Sequence, residues 1–157
     1  MNKQKFLYGN PLSRKIYFFF LLAIAIFVMD HFFKMMALQG KCFIFCLNAV
    51  FNKGAAFSLL QGFSWARLLF IIVAIIVIIL VTFAYFRFVK NSVLLRWALS
   101  LIFAGTVSNM LDRIIWGYVV DYIPFFGFSG LTFNVADVAN TAGVILLIVF
   151  LVRKKDK

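Results

Sequence analysis

Asp121 and Asp137 are separated by the stretch YIPFFGFSGLTFNVA, in which Pro124, Gly127 and Gly130 favour turns that can bring the two carboxylates together. Two carboxylates a few ångströms apart cannot both ionise cheaply, so they share one proton. One member can then act as a base toward water while the other protonates a carbonyl oxygen under attack. That is the acid–base arrangement of peptide hydrolysis without a metal or a covalent intermediate. Paired acids within a membrane also serve proton or cation transport. Composition alone leaves these two chemistries about even.

The setting of the acids is unusual. The 157-residue chain has five acidic residues, all of them aspartate. Asp30, Asp112, Asp121 and Asp137 lie beside long apolar runs, and Asp156 lies in a basic tail. On insertion scales a carboxylate at mid-membrane costs about 2.5–3.5 kcal/mol. A chain that otherwise avoids acids therefore marks these four positions as functional.

Asparagines accompany them: Asn52 in FNKGAAF, Asn109 in SNMLDR and Asn134 in FNVADVAN. With Lys34 and Arg113 they read as a preorganised network around ionisable groups. Asp30 and Lys34 stand at i and i+4, the spacing of an intrahelical ion pair. Asp112 adjoins Arg113, and a local charge pair closing a helix is the plainer reading of that dipeptide. Gly54 lets backbone approach another chain or a ligand closely. His31, the single histidine, reads as an interfacial hydrogen-bonder. Cys42 and Cys46 are too few for a disulfide framework and read as apolar packing.

These residues need elements to position them. The chain is 65% apolar and 13% charged, with 22 Phe, against about a quarter charged in soluble domains. A membrane protein forming one compact unit follows, over residues 1–157. Bilayer-length stretches of about 20 residues fall at about 16–33, 65–86, 93–111 and 138–152. In the third, Gly105, Ser108 and Asn109 suit close packing against other helices. The fold expected is an all-α integral membrane protein of four spans. The first span follows a basic start, as a cleaved signal peptide would, but Asp30 and Lys34 stand where small residues should precede cleavage. It is read as retained.

The net charge of +11 does not point to nucleic acid, because the cations flank apolar segments rather than line one face. Anionic phospholipids are the fitting partner. Lys3, Lys5, Arg14, Lys15, Arg87, Lys90, Arg96, Arg153, Lys154, Lys155 and Lys157 fall on one side, which puts both termini in the cytoplasm. Four alternating spans then bring all four membrane-associated aspartates to the outer leaflet boundary. The topology was drawn from the cations, so this agreement of the anions is independent and argues for one site.

DHFFK (30–34), FNKGAAF (51–57), AGTVSNMLDR (104–113), VVDY (119–122) and FNVADVANTAG (133–143) together resemble the conserved blocks of the bacterial lipoprotein signal peptidase family, signal peptidase II. Order, spacing, span number and length agree over essentially the whole chain. The resemblance implies an inner-membrane aspartyl endopeptidase that removes signal peptides from diacylglyceryl-modified prolipoproteins, cutting before the lipidated cysteine. It also implies inhibition by the cyclic peptide globomycin; no cofactor or metal is expected, since the sequence offers neither a Gly-rich phosphate loop nor a zinc ligand set, and a monomer is expected. Block by block, it carries the catalytic pair onto Asp121 and Asp137. Asn52, Asn109, Arg113 and Asn134 match positions that line or brace the site, with Gly54 beside them. Asp30, Lys34 and Asp112 match structural polar positions. A small β-rich extracytoplasmic element is implied in the first outer connection, where CFIFCLNAVF has the strand-like composition.

This chain departs from the family pattern at four points. It has His31 where Gln is usual, Ser108 for Gly, Val138 for Ser, and Asn140 for Ile. Asn140 faces either helix partners or lipid. The departures bear on substrate preference, inhibitor sensitivity and efficiency, since both aspartates and the Asn/Arg set are intact. A proton-coupled carrier would spread its ionisable groups across the bilayer depth, whereas here they gather at one face. A relative that binds lipidated signal peptides without cutting them would carry the same blocks.

Overall fold

In hydrocarbon no water completes the hydrogen bonding of the backbone, so long apolar stretches become helices. A computed structural model describes residues 11–40, 49–54, 60, 62–89, 92–125 and 131–155. Helix α1 spans Pro11–Leu38, strand β1 Val50–Asn52, α2 Ala66–Phe88 and α3 Val93–Ile115. Strand β2 (Val119–Asp121), β3 (Ile123–Pro124) and β4 (Thr132–Phe133) follow, and α4 covers Val135–Lys155. All four helices are long and apolar enough to cross a membrane.

Every helix outruns the span read from hydropathy at one end or both, and polar groups meet several of these ends. The Asp30–Lys34 pair carries α1 past its apolar run. Ser92 caps α3, its hydroxyl accepting from the Leu95 N–H at 3.2 Å. At the other end of α3, Arg67 of α2 donates to the carbonyls of Arg113 and Ile114 at 2.8 and 2.9 Å, satisfying acceptors the helix leaves open. Gly117 follows with φ +82°, the left-handed turn that ends the helix.

Helix α3 is the hub, and at backbone level α1, α2 and α4 all pack on it. The α3–α4 contact is closest because two glycines permit it. A Cβ at Gly105 would lie 2.3 Å from the Ala136 carbonyl oxygen, and one at Gly143 would lie 2.8 Å from that of Ala98. Toward the end of the bundle where α2 stops and α3 starts, the core is apolar: Phe19 stacks on Tyr85 and Phe103 at 4.3 and 4.4 Å, beside Val81, Leu95, Leu99 and Ile102. The opposite end is where the buried polar groups collect.

The β element is shared between both long connections. β1 pairs antiparallel with β2, in register Val50↔Asp121, Phe51↔Val120 and Asn52↔Val119, and β3 pairs with β4. Of the CFIFCLNAVF segment, only its end enters a described strand. Cys42, Cys46, Ala55, Ala56, Gly127, Gly130 and Asp156 lie outside the described residues.

Candidate active site

Helix α4 begins beside the β ribbon, and the way it begins builds the site. Asn134 is its N-cap, the Oδ1 accepting from the Asp137 N–H at 2.8 Å, while Asp137 Oδ2 accepts from the Asn134 N–H at 3.2 Å. This reciprocal capping box fixes the Asp137 carboxylate within the first turn. The other open donors of that turn are also met by side chains. The Val135 N–H donates to the Tyr122 hydroxyl at 3.2 Å, and the Ala136 N–H to Asp30 Oδ1 at 3.2 Å.

Asp121 reaches the same place from β2. The Asn134 Nδ2 donates to Asp121 Oδ1 at 2.7 Å, so one carboxamide joins the Asp121 side chain to the Asp137 backbone. On the neighbouring strand, Asn52 sits diagonal to Asp121 on the same ribbon face. Its Nδ2 donates to Asp121 Oδ2 at 3.0 Å. The Gly54 N–H in turn donates to Asn52 Oδ1 at 2.9 Å, and the Gly54 carbonyl accepts from Arg113 Nη2 at 2.9 Å. Arg113 also donates to the Asn109 carbonyl at 3.2 Å, and its guanidinium lies 5.0 Å from the centre of the Phe70 ring. Arg113, Gly54 and Asn52 thus form one chain of contacts ending on Asp121.

Asn109 links this pair to a buried ionic group. Its Nδ2 donates to Asp137 Oδ1 at 2.7 Å, while its Oδ1 accepts from Asn134 Nδ2 at 3.2 Å and Lys34 Nζ at 3.4 Å. Lys34 is fully buried between Asp30 and Asp112, bonded to Asp30 Oδ2 and 2.6 Å from Asp112 Oδ2. Asp112 therefore pairs across helices with Lys34 and not locally with Arg113. Ser108, one of the departures from the family pattern, donates to Asp30 Oδ2 at 2.7 Å. Lys34 occupies the place between two carboxylates where a cation would otherwise sit, and no three His, Cys, Asp or Glu side chains among the described residues converge as a metal-ligand set.

Electrostatics separate the two regions. Asp121 is buried without a cation in hydrogen-bonding reach among the described residues. Burial, helped by the charge of Asp137, pushes its pKa up to about 7, against the pull of the Asn52 and Asn134 amides and of Lys34. Burial and the charge of Asp30 likewise raise the Tyr122 phenol, which stays a neutral hydrogen-bonding post. A carboxylic acid that keeps its proton near neutrality, next to a second carboxylate, can exchange protons with water and a carbonyl.

Ten of the residues singled out in the sequence meet in one network: Asp121, Asp137, Asn52, Gly54, Asn109, Arg113, Asn134, Asp30, Lys34 and Asp112. His31 differs from its expected role. It stacks between Phe27 and Trp116, ring centres 5.7 and 5.5 Å away, and makes no hydrogen bond among the described residues. Trp116 continues to Tyr118 and Tyr118 to Phe51, so the stack ties α1 to β1. Asn140 faces α3, accepting from Thr106 Oγ1 at 3.1 Å, while Val138 faces outward. Tyr122 and Arg67 were not foreseen. The phenol directly after Asp121 and the lone cation at the start of the most apolar span were the available hints.

Four apolar spans with a network of polar side chains at one end define a multi-pass membrane protein. The signal peptidase (SPase) II family model matches residues 22–153. The chain is 36% identical over 138 residues to a lipoprotein signal peptidase of Cupriavidus necator, covering 81% of this chain and 78% of that one. It is 38% identical over 112 residues to one from Staphylococcus aureus, covering 68% and 67%. Two solved bacterial membrane enzyme structures share the fold, with TM-scores of 0.76 and 0.73 at 29% and 30% identity. They cover 87% and 85% of this chain, and it covers 88% and 91% of theirs. The chain belongs to the signal peptidase II family, and is thus a peptidase of a bacterial membrane.

Proposed function

We propose that this peptidase is an intramembrane aspartyl endopeptidase. It removes signal peptides from diacylglyceryl-modified prolipoproteins, cutting before the lipidated cysteine, with Asp121 and Asp137 as its catalytic pair. The relatives it resembles are named lipoprotein signal peptidases. The observation that carries the reading is Asn134, whose Nδ2 donates to Asp121 Oδ1 at 2.7 Å while its backbone N–H donates to Asp137 Oδ2 at 3.2 Å, so that one residue holds both carboxylates. The raised pKa of Asp121, to which burial and the charge of Asp137 contribute, supports a pair in which one carboxyl group holds a proton and the other does not.

In this reading the ionised aspartate takes a proton from water as the oxygen bonds to the scissile carbonyl carbon. The protonated aspartate gives its proton to the carbonyl oxygen, leaving a tetrahedral diol. Collapse breaks the C–N bond, the amine nitrogen takes a proton from the dyad, and a diol proton returns to it. The products are a carboxylic acid on the signal peptide and a free amine on the lipidated cysteine. Asn52, Asn109 and Asn134 hold the two carboxylates in place, with Arg113 and Gly54 bracing Asn52. Asp30, Lys34 and Asp112 anchor the start of α4. No cofactor takes part.

The whole chain, 1–157, acts as one domain and as a monomer in contact with phospholipid, both termini in the cytoplasm and the site near the outer leaflet boundary. At backbone level α2 packs on α3 but scarcely on α4, which supports lateral access for a signal helix between spans. The test is cleavage of a diacylglyceryl-modified prolipoprotein by the purified protein in detergent, beside Asp121→Asn and Asp137→Asn. Only the wild type should cut, and each variant should lose at least about 10³-fold. Cleavage by both variants would sink the dyad, and binding without cleavage by the wild type would make the chain a non-catalytic relative.

A further inference from the structure

The polar strip between α3 and α4 does not stop at the dyad. Asn109 on α3 meets Asp137 on α4 at 2.7 Å. Three residues further into each helix, Thr106 meets Asn140 at 3.1 Å. The helices run antiparallel, so these are successive rungs, the second one turn deeper into the span. Space for it comes from Gly105, where a Cβ would lie 2.8 Å from both Cγ and Oδ1 of Asn140.

The rung is only half used. Thr106 holds the Asn140 oxygen, and the Asn140 Nδ2 has no hydrogen-bond acceptor among the described residues. Thr106 and Asn140 are each only partly buried, so the free donor can be reached. A polar donor within an apolar span is costly unless something accepts from it.

A membrane-embedded substrate supplies such an acceptor. To reach the dyad a helical peptide must unwind around its scissile bond, and each carbonyl that loses its helical partner needs a new donor. One helical turn is about 5.4 Å, and an extended chain advances about 3.3 Å per residue. The second rung therefore lies about two residues from the scissile bond, on the side that stays in the membrane.

We propose that Asn140, anchored by Thr106, is a substrate-binding residue whose amide donates to the backbone carbonyl of the second residue before the scissile bond. The inference rests on the cleavage proposed above. It assigns this chain a donor at a position where the family pattern has an apolar Ile.

The test pairs a protein change with a change in the carbonyl itself. Synthetic diacylglyceryl-modified lipopeptides are made with an all-amide backbone, or with one amide replaced by an ester so that the carbonyl two or four residues before the scissile bond becomes a weaker acceptor. Each is cut by wild type and by the near-isosteric Asn140→Leu. On the all-amide substrate the variant should lose about tenfold in kcat/KM. The ester at the second residue should slow wild type about fivefold yet slow Asn140→Leu less than about twofold, while the ester at the fourth residue should slow both alike. Independent, multiplying effects at the second residue would overturn the proposal, since a purely structural Asn140 cannot sense a substrate carbonyl. Where Asn140→Leu does not fold, Thr106→Val carries the same cycle with weaker coupling expected. If wild type cuts the all-amide lipopeptide and coupling is missing, this inference alone fails; if wild type cuts nothing, the proposed function fails and this falls with it.

Discussion

Asn134 and Asp137 cap each other across the first turn of α4, side chain to backbone in both directions, at 2.8 and 3.2 Å. The same Asn134 side chain reaches Asp121. A structural device that starts a helix thus sets the spacing of two carboxylates, which is why Asn134 cannot be exchanged like an ordinary cap. Asn134→Ser keeps a capping oxygen but removes the amide from Asp121. It should lower turnover about 10²-fold with little loss of thermal stability, measured by initial rates beside a melting curve.

Proton uptake at Asp121 has a defined sign. Its folded pKa of about 7 lies above the ordinary carboxylate value. The stability owed to its neutral form is therefore full at low pH and lost as pH rises through about 7. Between pH 4 and pH 8 wild type should lose on the order of 4 kcal/mol more than Asp121→Asn. Paired melting curves at the two pH values check this, and parallel curves would refute it. The kcat/KM of wild type should fall over the same rise, as the dyad loses its shared proton.

Lys34 is buried between two carboxylates, so removing it strands charge. Lys34→Met should destabilise the fold by about 3–5 kcal/mol, whereas Asp30→Asn, which leaves the Lys34–Asp112 pair intact, should cost clearly less. Thermal unfolding of the two variants in one detergent distinguishes them. Equal losses would mean that the ion group is not what holds this end of the bundle.

The glycine contacts make a graded prediction. Gly105→Ala drives a methyl toward the Ala136 carbonyl, one residue before Asp137, and Gly143→Ala drives one against Ala98 and Ile102 two turns away. Each should destabilise by about 1–3 kcal/mol. Gly105→Ala should cut turnover the more steeply, because it shifts the turn that carries Asp137. Rates measured well below both melting points separate the two effects.

Sequence reading found the four spans because an apolar run of bilayer length has few other fates. It also found the acids and asparagines, whose cost in hydrocarbon singles them out. What it missed are matters of pairing. Asp112 has Arg113 as its neighbour in sequence, which left a local pair open beside a place in the network, while its partner Lys34 lies on another helix. β1 and β2 are three residues each, too short for an alternating pattern, and they pair across two connections that sequence reading treated separately. His31 looked like a hydrogen-bonder because its chemistry allows it. Only the positions of Phe27 and Trp116 reveal a stacked ring. Asn140 could be narrowed to helix partner or lipid, and the gap at Gly105 decided for the partner.

The ribbon that joins Asn52 to Asp121 spans 69 residues of sequence, and its far side leans on a helix that starts only at Val135. Assembly therefore has an order. A chain halted after α3 would already hold Lys34, Asn109 and Arg113, yet it would lack Asp121, Asp137 and the Asn134 amide, and under the proposed function could cut nothing. The first span, with its basic start and apolar run, is built like a signal peptide as far as Asp30 and Lys34. It is made before Asp121 and Asp137, the pair proposed to cut such segments, exist.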